Sequence, residues 1–130
     1  MLGKVICELP PSEQNRRNSE GDFITLNNGD ILFAYTRYEN SWEDSATANI
    51  YALRSTDNGE SFSEPFLILS HEEVGAANVM AASFKRMKNG DLGLFALAKD
   101  KEDHCHPFIV RSSDEGKTWS KPIFCNDRPG

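Results

Sequence analysis

The sequence predicts an all-β fold made of two consecutive four-stranded antiparallel sheets. The first observation is an internal repeat: residues 54–65, RSTDNGESFSEP, resemble residues 111–122, RSSDEGKTWSKP, at an offset of 57. The second is a pair of Asn-Gly-Asp triplets, at 28–30 and 89–91, which repeat at an offset of 61. Two recurring segments at nearly the same offset indicate two copies of one supersecondary unit.

Each copy divides into four short strands. Asn-Gly between apolar runs favours a tight hairpin, because the turn needs positive φ. The predicted strands are 22–26, 31–38, 49–55 and 65–69 in the first copy, and 79–87, 92–98, 107–112 and 122–125 in the second. The segment 70–77 between the copies is too short to predict a competing helix.

The second strand of each copy is apolar without alternation. Residues 31–35 read ILFAY and residues 92–97 read LGLFAL, a pattern that indicates burial on both faces. Sheets stacked around an axis, as in the blades of a β-propeller, bury both faces. The sequence therefore predicts a first blade over about 16–70 and a second over about 74–125, preceded by an N-terminal arm, 1–15.

Both copies carry the motif Ser-x-Asp-x-Gly-x-x-Phe/Trp between the third and fourth strands. Asp57 and Asp114 can accept backbone N–H groups across the turn. Phe62 and Trp119 can pack beneath it as apolar plugs. The motif therefore predicts a turn that satisfies its own polar groups; a binding loop is the alternative interpretation.

This motif resembles the Asp-box of the sialidase (neuraminidase) superfamily, also called the BNR repeat, and the resemblance covers about 16–125. It implies a six-bladed β-propeller, of which this chain would supply two consecutive blades from the N-terminal part. It also implies a glycoside hydrolase that removes terminal sialic acid or a related sugar from glycans. A non-catalytic carbohydrate-binding propeller is the alternative, because Asp-boxes occur in both classes.

The resemblance carries over to three residues at one end of the sheets. Arg17 stands where the family has the first arginine of its triad, although Arg-Asn-Ser replaces the usual Arg-Ile-Pro. Arg37, in FAYTR, matches a second family arginine, and both would bind a sugar carboxylate. Asp44, with Glu43 as the alternate, matches the acid that protonates the leaving oxygen, and a nearby Trp42 would raise its pKa by excluding water.

The family's tyrosine nucleophile, its glutamate partner and the other triad arginines belong to later blades. This chain alone is therefore expected to hydrolyse nothing. Strand parity predicts that the Arg17, Arg37 and Asp44 positions lie at one end of the sheets, facing one hollow, and that both Asp-boxes lie at the opposite end.

Simpler roles remain open for each of these positions. Arg17 would only solvate its loop, Arg37 would pair with Glu39 or Glu43, and Asp44 would belong to a solvated acidic loop. Asn78 is the repeat equivalent of Arg17 and would reach a ligand's hydroxyls or serve a turn. The rim candidates for sugar hydroxyls are Asp100, Asp103 and His104.

Charge and composition limit the classes of binding partner that the chain is expected to have. Lys and Arg number 14 and Asp and Glu number 20, for a net charge of −6, which disfavours nucleic acid and anionic membranes. No apolar run approaches the ~18 residues of a membrane span. His104 and His106 have no further ligand at a useful spacing, so no metal or cofactor is predicted. A glycan or acidic sugar is the expected partner.

Two expectations concern the chain as a whole. Open sheet edges and apolar blade faces would favour self-association, including three copies that together make six blades. Residues 1–11 hold no stretch typical of a signal peptide, which favours the cytoplasm unless the native start lies upstream, in which case an extracellular or periplasmic location is the alternative.

Overall fold

A computed structural model describes residues 2–126 of the protein and contains two four-stranded antiparallel sheets. Sheet 1 has the order β1-β2-β3-β4 and sheet 2 the order β5-β6-β7-β8. The elements are β1 (Asn15–Thr25), β2 (Ile31–Glu39), β3 (Ala48–Ser55), β4 (Phe66–Leu69), α1 (His71–Val74), β5 (Asn78–Arg86), β6 (Leu92–Lys99), β7 (Cys105–Ser112) and β8 (Ile123–Phe124). The prediction of an all-β chain with two such sheets is confirmed.

Two of the differences from the prediction bear on the functional site and the link between the sheets. β1 begins at Asn15 instead of Asp22, so Arg17 lies within the first strand and not in a loop before it. A one-turn helix, α1, occupies part of the link between the sheets, where Ser70 and Glu73 form a capping box at its start. No helix in residues 2–126 has the length and apolar character needed to cross a bilayer.

A β-bulge recurs at the same place in both sheets. In β1 the register with β2 shifts between Ser19 and Asp22, and in β5 the register with β6 shifts between Met80 and Ser83. Each bulge contains a non-glycine residue with positive φ, Glu20 at 48° and Ala81 at 61°. These two positions are 61 residues apart, so the bulge belongs to the repeat.

The core lies between the two sheets and the stacking is head-to-tail. Leu32 and Ala34 of β2 face sheet 2 and are buried, while Leu92 and Leu94 of β6 face sheet 1 and are also buried. The offset of 61 makes Leu94 the repeat equivalent of Phe33. Leu94 faces the other sheet, whereas Phe33 lies on the face of sheet 1 that is turned away from sheet 2. The repeats therefore contact each other through different faces, as in a heterologous interface.

Polar groups join the sheets along this interface. Asp22 accepts the backbone N–H of Phe84 at 2.8 Å, and the Thr36 hydroxyl accepts the N–H of Ala81 at 3.0 Å. Ala81 lies in the β5 bulge, where the ladder between β5 and β6 is interrupted, and Phe84 lies just beyond it. The first sheet thus accepts backbone donors of β5 at and beside the bulge.

Each sheet keeps one apolar outer face. On sheet 1 it contains Phe23, which is 59% exposed, beside Phe33, with ring centroids 4.5 Å apart. The arm contributes Ile6, Cys7 and Leu9 to a cavity on this face. On sheet 2 the outer face contains Phe95, which is 37% exposed.

Candidate functional site

Strand direction brings two loops to one end of the molecule, which we call the site end: the β2–β3 loop, residues 40–47, and the β6–β7 loop, residues 100–104. The N-terminal part of β1 and the link between the sheets reach the same end, because consecutive strands are antiparallel. The two Asp-box turns join β3 to β4 and β7 to β8 at the opposite end. This arrangement agrees with the segregation predicted from strand parity.

Arg17 projects from β1 and holds the β2–β3 loop. Its two terminal nitrogens donate to the backbone oxygen of Trp42 at 2.8 Å and to Asp44 Oδ1 at 2.7 Å. Its guanidinium carbon lies 3.8 Å from the centre of the Tyr38 ring, within the range of a cation–π contact. The guanidinium is therefore fixed by three groups and does not merely solvate a loop.

Asp44 remains open to solvent although Arg17 binds it. Its side chain is 71% exposed. The hydrogen bond from Arg17, reinforced by the positive charge, lowers the pKa of Asp44. Trp42 is 66% exposed and does not cover the carboxylate enough to raise this pKa, so the expected upward shift is wrong for the protein without a ligand.

Asn78 supports the loop that carries Asp44. It is fully buried at the start of β5, and its Nδ2 donates to the backbone oxygens of Asp44 and Ala46, each at 2.9 Å. Its Oδ1 is buried and has no hydrogen-bond partner among residues 2–126. Asn78 therefore fixes the β2–β3 loop to sheet 2.

Arg37 lies at the same end but on the other face of sheet 1. In the register of β1 and β2, Arg17 is opposite Tyr38 whereas Arg37 is opposite Asn18. The Arg37 guanidinium carbon lies 4.7 Å from the centre of the Tyr51 ring on the outer face. Within residues 2–126 the structure thus brings Arg17, Asp44 and Asn78 together but places Arg37 on the opposite face of sheet 1, so these residues do not face one hollow.

The alternative pairing of Arg37 with an acidic neighbour is not found in the described part of the chain either. Among residues 2–126, neither Glu39 nor Glu43 forms an ion pair with Arg37. Glu39 instead accepts a hydrogen bond from Asn49 at 3.1 Å. Arg37 and Glu43 therefore stay sequence-based predictions without a demonstrated contact to the Arg17–Asp44 pair.

Tyr38 and Met80 are site-end residues that the sequence reasoning missed. Tyr38 is fully buried beneath the Arg17 guanidinium, and its hydroxyl donates to the Met80 sulfur at 3.6 Å. Tyr38 could have been found from the sequence FAYTRY. Because neighbouring residues of a strand point to opposite faces, the tyrosine that follows Arg37 must lie on the face that Arg37 does not occupy.

The Asp-box turns at the opposite end satisfy their own polar groups. Asp57 accepts the N–H of Ser61 at 2.9 Å and its hydroxyl at 2.5 Å, and Asp114 makes the same bonds with Thr118 at the same distances. These side-chain and backbone hydrogen bonds lower the pKa of both carboxyls to about 2. The structure supports the interpretation of these boxes as closed turns.

The arginines that precede the boxes also have a structural role, because each forms an ion pair within its own sheet. Arg54 pairs with Asp30 at 2.7 Å, and Arg111 pairs with Asp91 at 3.2 Å. Each pair joins the start of a box to the Asn-Gly-Asp turn of its own sheet. The repeat is therefore conserved within the chain in its ion pair as well as in its turns.

The rim candidates divide into two groups in the β6–β7 loop. Asp103 forms an ion pair with Lys99 at 2.8 Å. Asp100 instead lies at hydrogen-bond distance from the rings of His104 and His106. His106 contributes the largest part of a shift that lowers the pKa of Asp100 to about 2. The imidazoles of His104, in this loop, and His106, in β7, thus meet at one carboxylate, whereas the sequence predicted no further ligand near them.

Comparisons with known proteins show the fold alone. No protein-family model matches the chain, and no curated protein matches it significantly. Among solved structures, it is similar to the crystal structure of a protein of unknown function from Dyadobacter fermentans, with a TM-score of 0.69 and 19% identity over 87% of this chain. The match spans 37% of that protein's chain, so the chain has the fold of part of a longer protein.

Proposed function

We propose that the chain forms two blades of a sialidase-like β-propeller whose site end binds the carboxylate of an acidic sugar. The observation that carries the proposal is the Arg17 guanidinium, which already holds one carboxylate, that of Asp44, at 2.7 Å on an open surface. An arginine fork is well suited to a carboxylate ligand. A sialic acid carries such a group on its ring.

The head-to-tail stack supports the propeller. Because the two sheets meet through non-equivalent faces, the same operation can add a sheet on either side. The outer face of sheet 1 is equivalent to the face by which sheet 2 contacts sheet 1. Likewise, the outer face of sheet 2 is equivalent to the face by which sheet 1 contacts sheet 2. A face-to-face sandwich would have left two polar outer faces and no place for a further blade.

The Arg17–Asp44 pair suggests how a ligand would change the site. An incoming carboxylate would compete with Asp44 for the terminal nitrogens of Arg17. Asp44 would then lose the hydrogen bond and the positive charge that lower its pKa, and the negative charge of the ligand carboxylate beside it would raise that pKa further, towards the range in which a carboxyl can donate a proton. Arg17 would then bind the ligand, Asp44 would serve as the acid, and Asn78 would keep the loop in position.

A purely binding role is the second candidate, and the pKa of Asp44 favours it. An acid catalyst at neutral pH needs a raised pKa, whereas Arg17 lowers that of Asp44. This chain is expected to hydrolyse nothing under either function, because the resemblance assigns the nucleophile to blades outside these residues. Without a nucleophile, a docked sugar would turn over at close to the background rate.

Binding of N-acetylneuraminic acid tests the proposal. We expect chemical-shift changes at Trp42 and Asp44 that saturate with the free acid but not with its methyl ester, which lacks the charge. Arg17→Gln should abolish them, while Arg16→Gln, at the neighbouring exposed arginine, should not. Equal responses to acid and ester, or an unaffected Arg17→Gln variant, would overturn the carboxylate assignment.

Hydrolysis is tested separately with a fluorogenic sialoside, with the mass of the sample measured by light scattering. No turnover is expected. Turnover by a monomer would contradict the claim that the chain lacks a nucleophile. Turnover by a trimer would show that three copies complete the site.

A further inference from the structure

We propose that the β6–β7 loop binds a divalent transition-metal cation such as Zn²⁺ through Asp100, Glu102 and His104, with His106 of β7 as a further ligand. The proposal is independent of the sugar site, since it uses none of Arg17, Asp44 or Asn78. It concerns a side-chain cluster that the Asp-box resemblance does not include.

The donor atoms converge on one carboxylate oxygen. His106 Nε2 lies 2.9 Å and His104 Nδ1 lies 3.3 Å from Asp100 Oδ2. Ligand atoms of Asp100, Glu102 and His104 all lie within 4.8 Å of one another. Metal–ligand bonds near 2.1 Å separate neighbouring ligands by about 3.0–3.4 Å in octahedral or tetrahedral geometry, so these three ligand atoms can close on a shared cation with small side-chain rotations. His106 Nε2, which lies at hydrogen-bond distance from Asp100 Oδ2, would turn from that oxygen to the metal.

The loop backbone fixes the carboxylate that would bind the metal. Asp100 Oδ1 accepts the N–H of Glu102 at 3.0 Å and the N–H of His104 at 2.9 Å. These bonds leave Oδ2 directed at the imidazoles. They act as outer-shell contacts that orient a ligand before the metal arrives.

The histidine that is nearer the core is held as well. The side chain of His106 is 25% exposed, and its ring lies edge-on to Phe124 at 6.3 Å. Because His106 belongs to β7 while Asp100 and His104 belong to the loop, the site would join a strand to its connection. The side chain of His104 is 50% exposed and keeps the site open to solvent.

The surrounding charge is compatible with a cation. Lys99 is the basic residue directly before Asp100, and it is engaged by Asp103 at 2.8 Å. Asp100, Glu102 and Asp103 together exceed the charge of Lys99 and Lys101 by one. Two imidazoles and carboxylate oxygens suit borderline cations such as Zn²⁺, Co²⁺ or Ni²⁺ better than Mg²⁺ or Ca²⁺.

The competing arrangement is a set of hydrogen bonds in which both rings donate protons to Asp100. It predicts no metal binding, so a direct titration separates the two. The chain, freed of metals with a chelator, is titrated with Zn²⁺ by calorimetry and with Co²⁺ by visible absorption. We expect one site per chain, a Co²⁺ spectrum with nitrogen ligands, and no heat with Mg²⁺.

Variants assign the site. His106→Gln and Asp100→Asn should weaken Zn²⁺ binding by about 100-fold or more, at or above the loss caused by removing an outer-shell partner. His71→Gln, at the histidine of α1, is the matched control and should bind as the parent does. His104→Gln changes an exposed loop residue, so it keeps the test valid if His106→Gln fails to fold.

Thermal unfolding gives a second readout. Zn²⁺ should raise the Tm of the parent chain and of His71→Gln, because it binds the folded state, and should leave His104→Gln unchanged. Absence of Zn²⁺ binding, or equal binding by His104→Gln and the parent, would overturn the proposal. Neither result would affect the sugar-binding proposal, which is measured without metal.

Discussion

In each Asp-box turn, a single carboxylate accepts the hydrogen bonds that close the turn. The pKa of Asp114 is lowered from 3.8 to about 2 by hydrogen bonds from the side chain and backbone of Thr118, with a further bond from Ser112. The folded-state pKa lies below the unfolded one, so the ionised group stabilises the fold above about pH 4. That contribution is lost as the pH falls towards 2.

We therefore expect Asp114→Asn to lower the free energy of unfolding at neutral pH, and the difference from the parent to shrink as the pH falls from about 4 to about 2. Urea unfolding across this range measures it. Glu64→Gln, which removes an exposed carboxylate outside the turn, is the control and should show no such convergence. A constant difference at every pH would contradict the assignment.

The two aromatic plugs occupy different environments. Trp119 packs against the core between the sheets, with its ring stacked 6.4 Å from Phe84. Phe62 lies on the outer face of sheet 1, next to the exposed Phe23. Trp119→Ala should lower the free energy of unfolding by about 3 kcal/mol, and Phe62→Ala by less than half as much. Both side chains are half-buried, so equal losses in chemical denaturation would refute the difference in what they pack against.

At the scale of the element, the β1 bulge depends on a close approach of backbone and ring. A Cβ on Gly21 would meet the Phe33 ring and lie 2.8 Å from the carbonyl oxygen of Ala34. Gly21→Ala should therefore cost about 1–3 kcal/mol, the usual range for overpacking. Gly3→Ala, with open space around it, should be neutral. A tolerated Gly21→Ala in a thermal melt would show that the bulge can relax.

Sequence patterns predicted the strands well because their signals are local. The Asn-Gly turns and the apolar runs located the middle strands to within two residues at either end. The extension of β1 to Asn15 was missed because Glu20 and Gly21 form a bulge inside a polar stretch without a turn signal. The short helix had a readable signal in the capping box of Ser70 and Glu73.

The site was harder to predict than the strands. The alternation of strand direction predicted correctly that Arg17, Arg37 and Asp44 lie at one end of the sheets. It did not predict that Arg17 and Arg37 lie on opposite faces of sheet 1. The face depends on register, and register shifts between Asn15 and Arg17 change which neighbours share a side. The convergence of His104 and His106 on Asp100 depends on the turn geometry of the loop, which spacing alone does not supply.

For the whole molecule, head-to-tail stacking leaves two complementary apolar faces. We expect the chain to self-associate through the face that contains Phe23 and the face that contains Phe95. Phe23→Lys and Phe95→Lys should each lower the mass measured by light scattering. Trp42→Lys, at an exposed aromatic of the site end, should not. A monomeric parent chain at high concentration would contradict this expectation.

The Asp-box also bears on the order of events during folding. Its hydrogen bonds join residues only two to nine positions apart, such as Ser55 to Asp57 and Arg54 to Ser63, and such short loops close rapidly. The Asn78 bonds to Asp44 and Ala46 instead close loops of 34 and 32 residues. The turns should form early and guide strand pairing, while the site end should assemble late and should be the part missing from a partly folded chain.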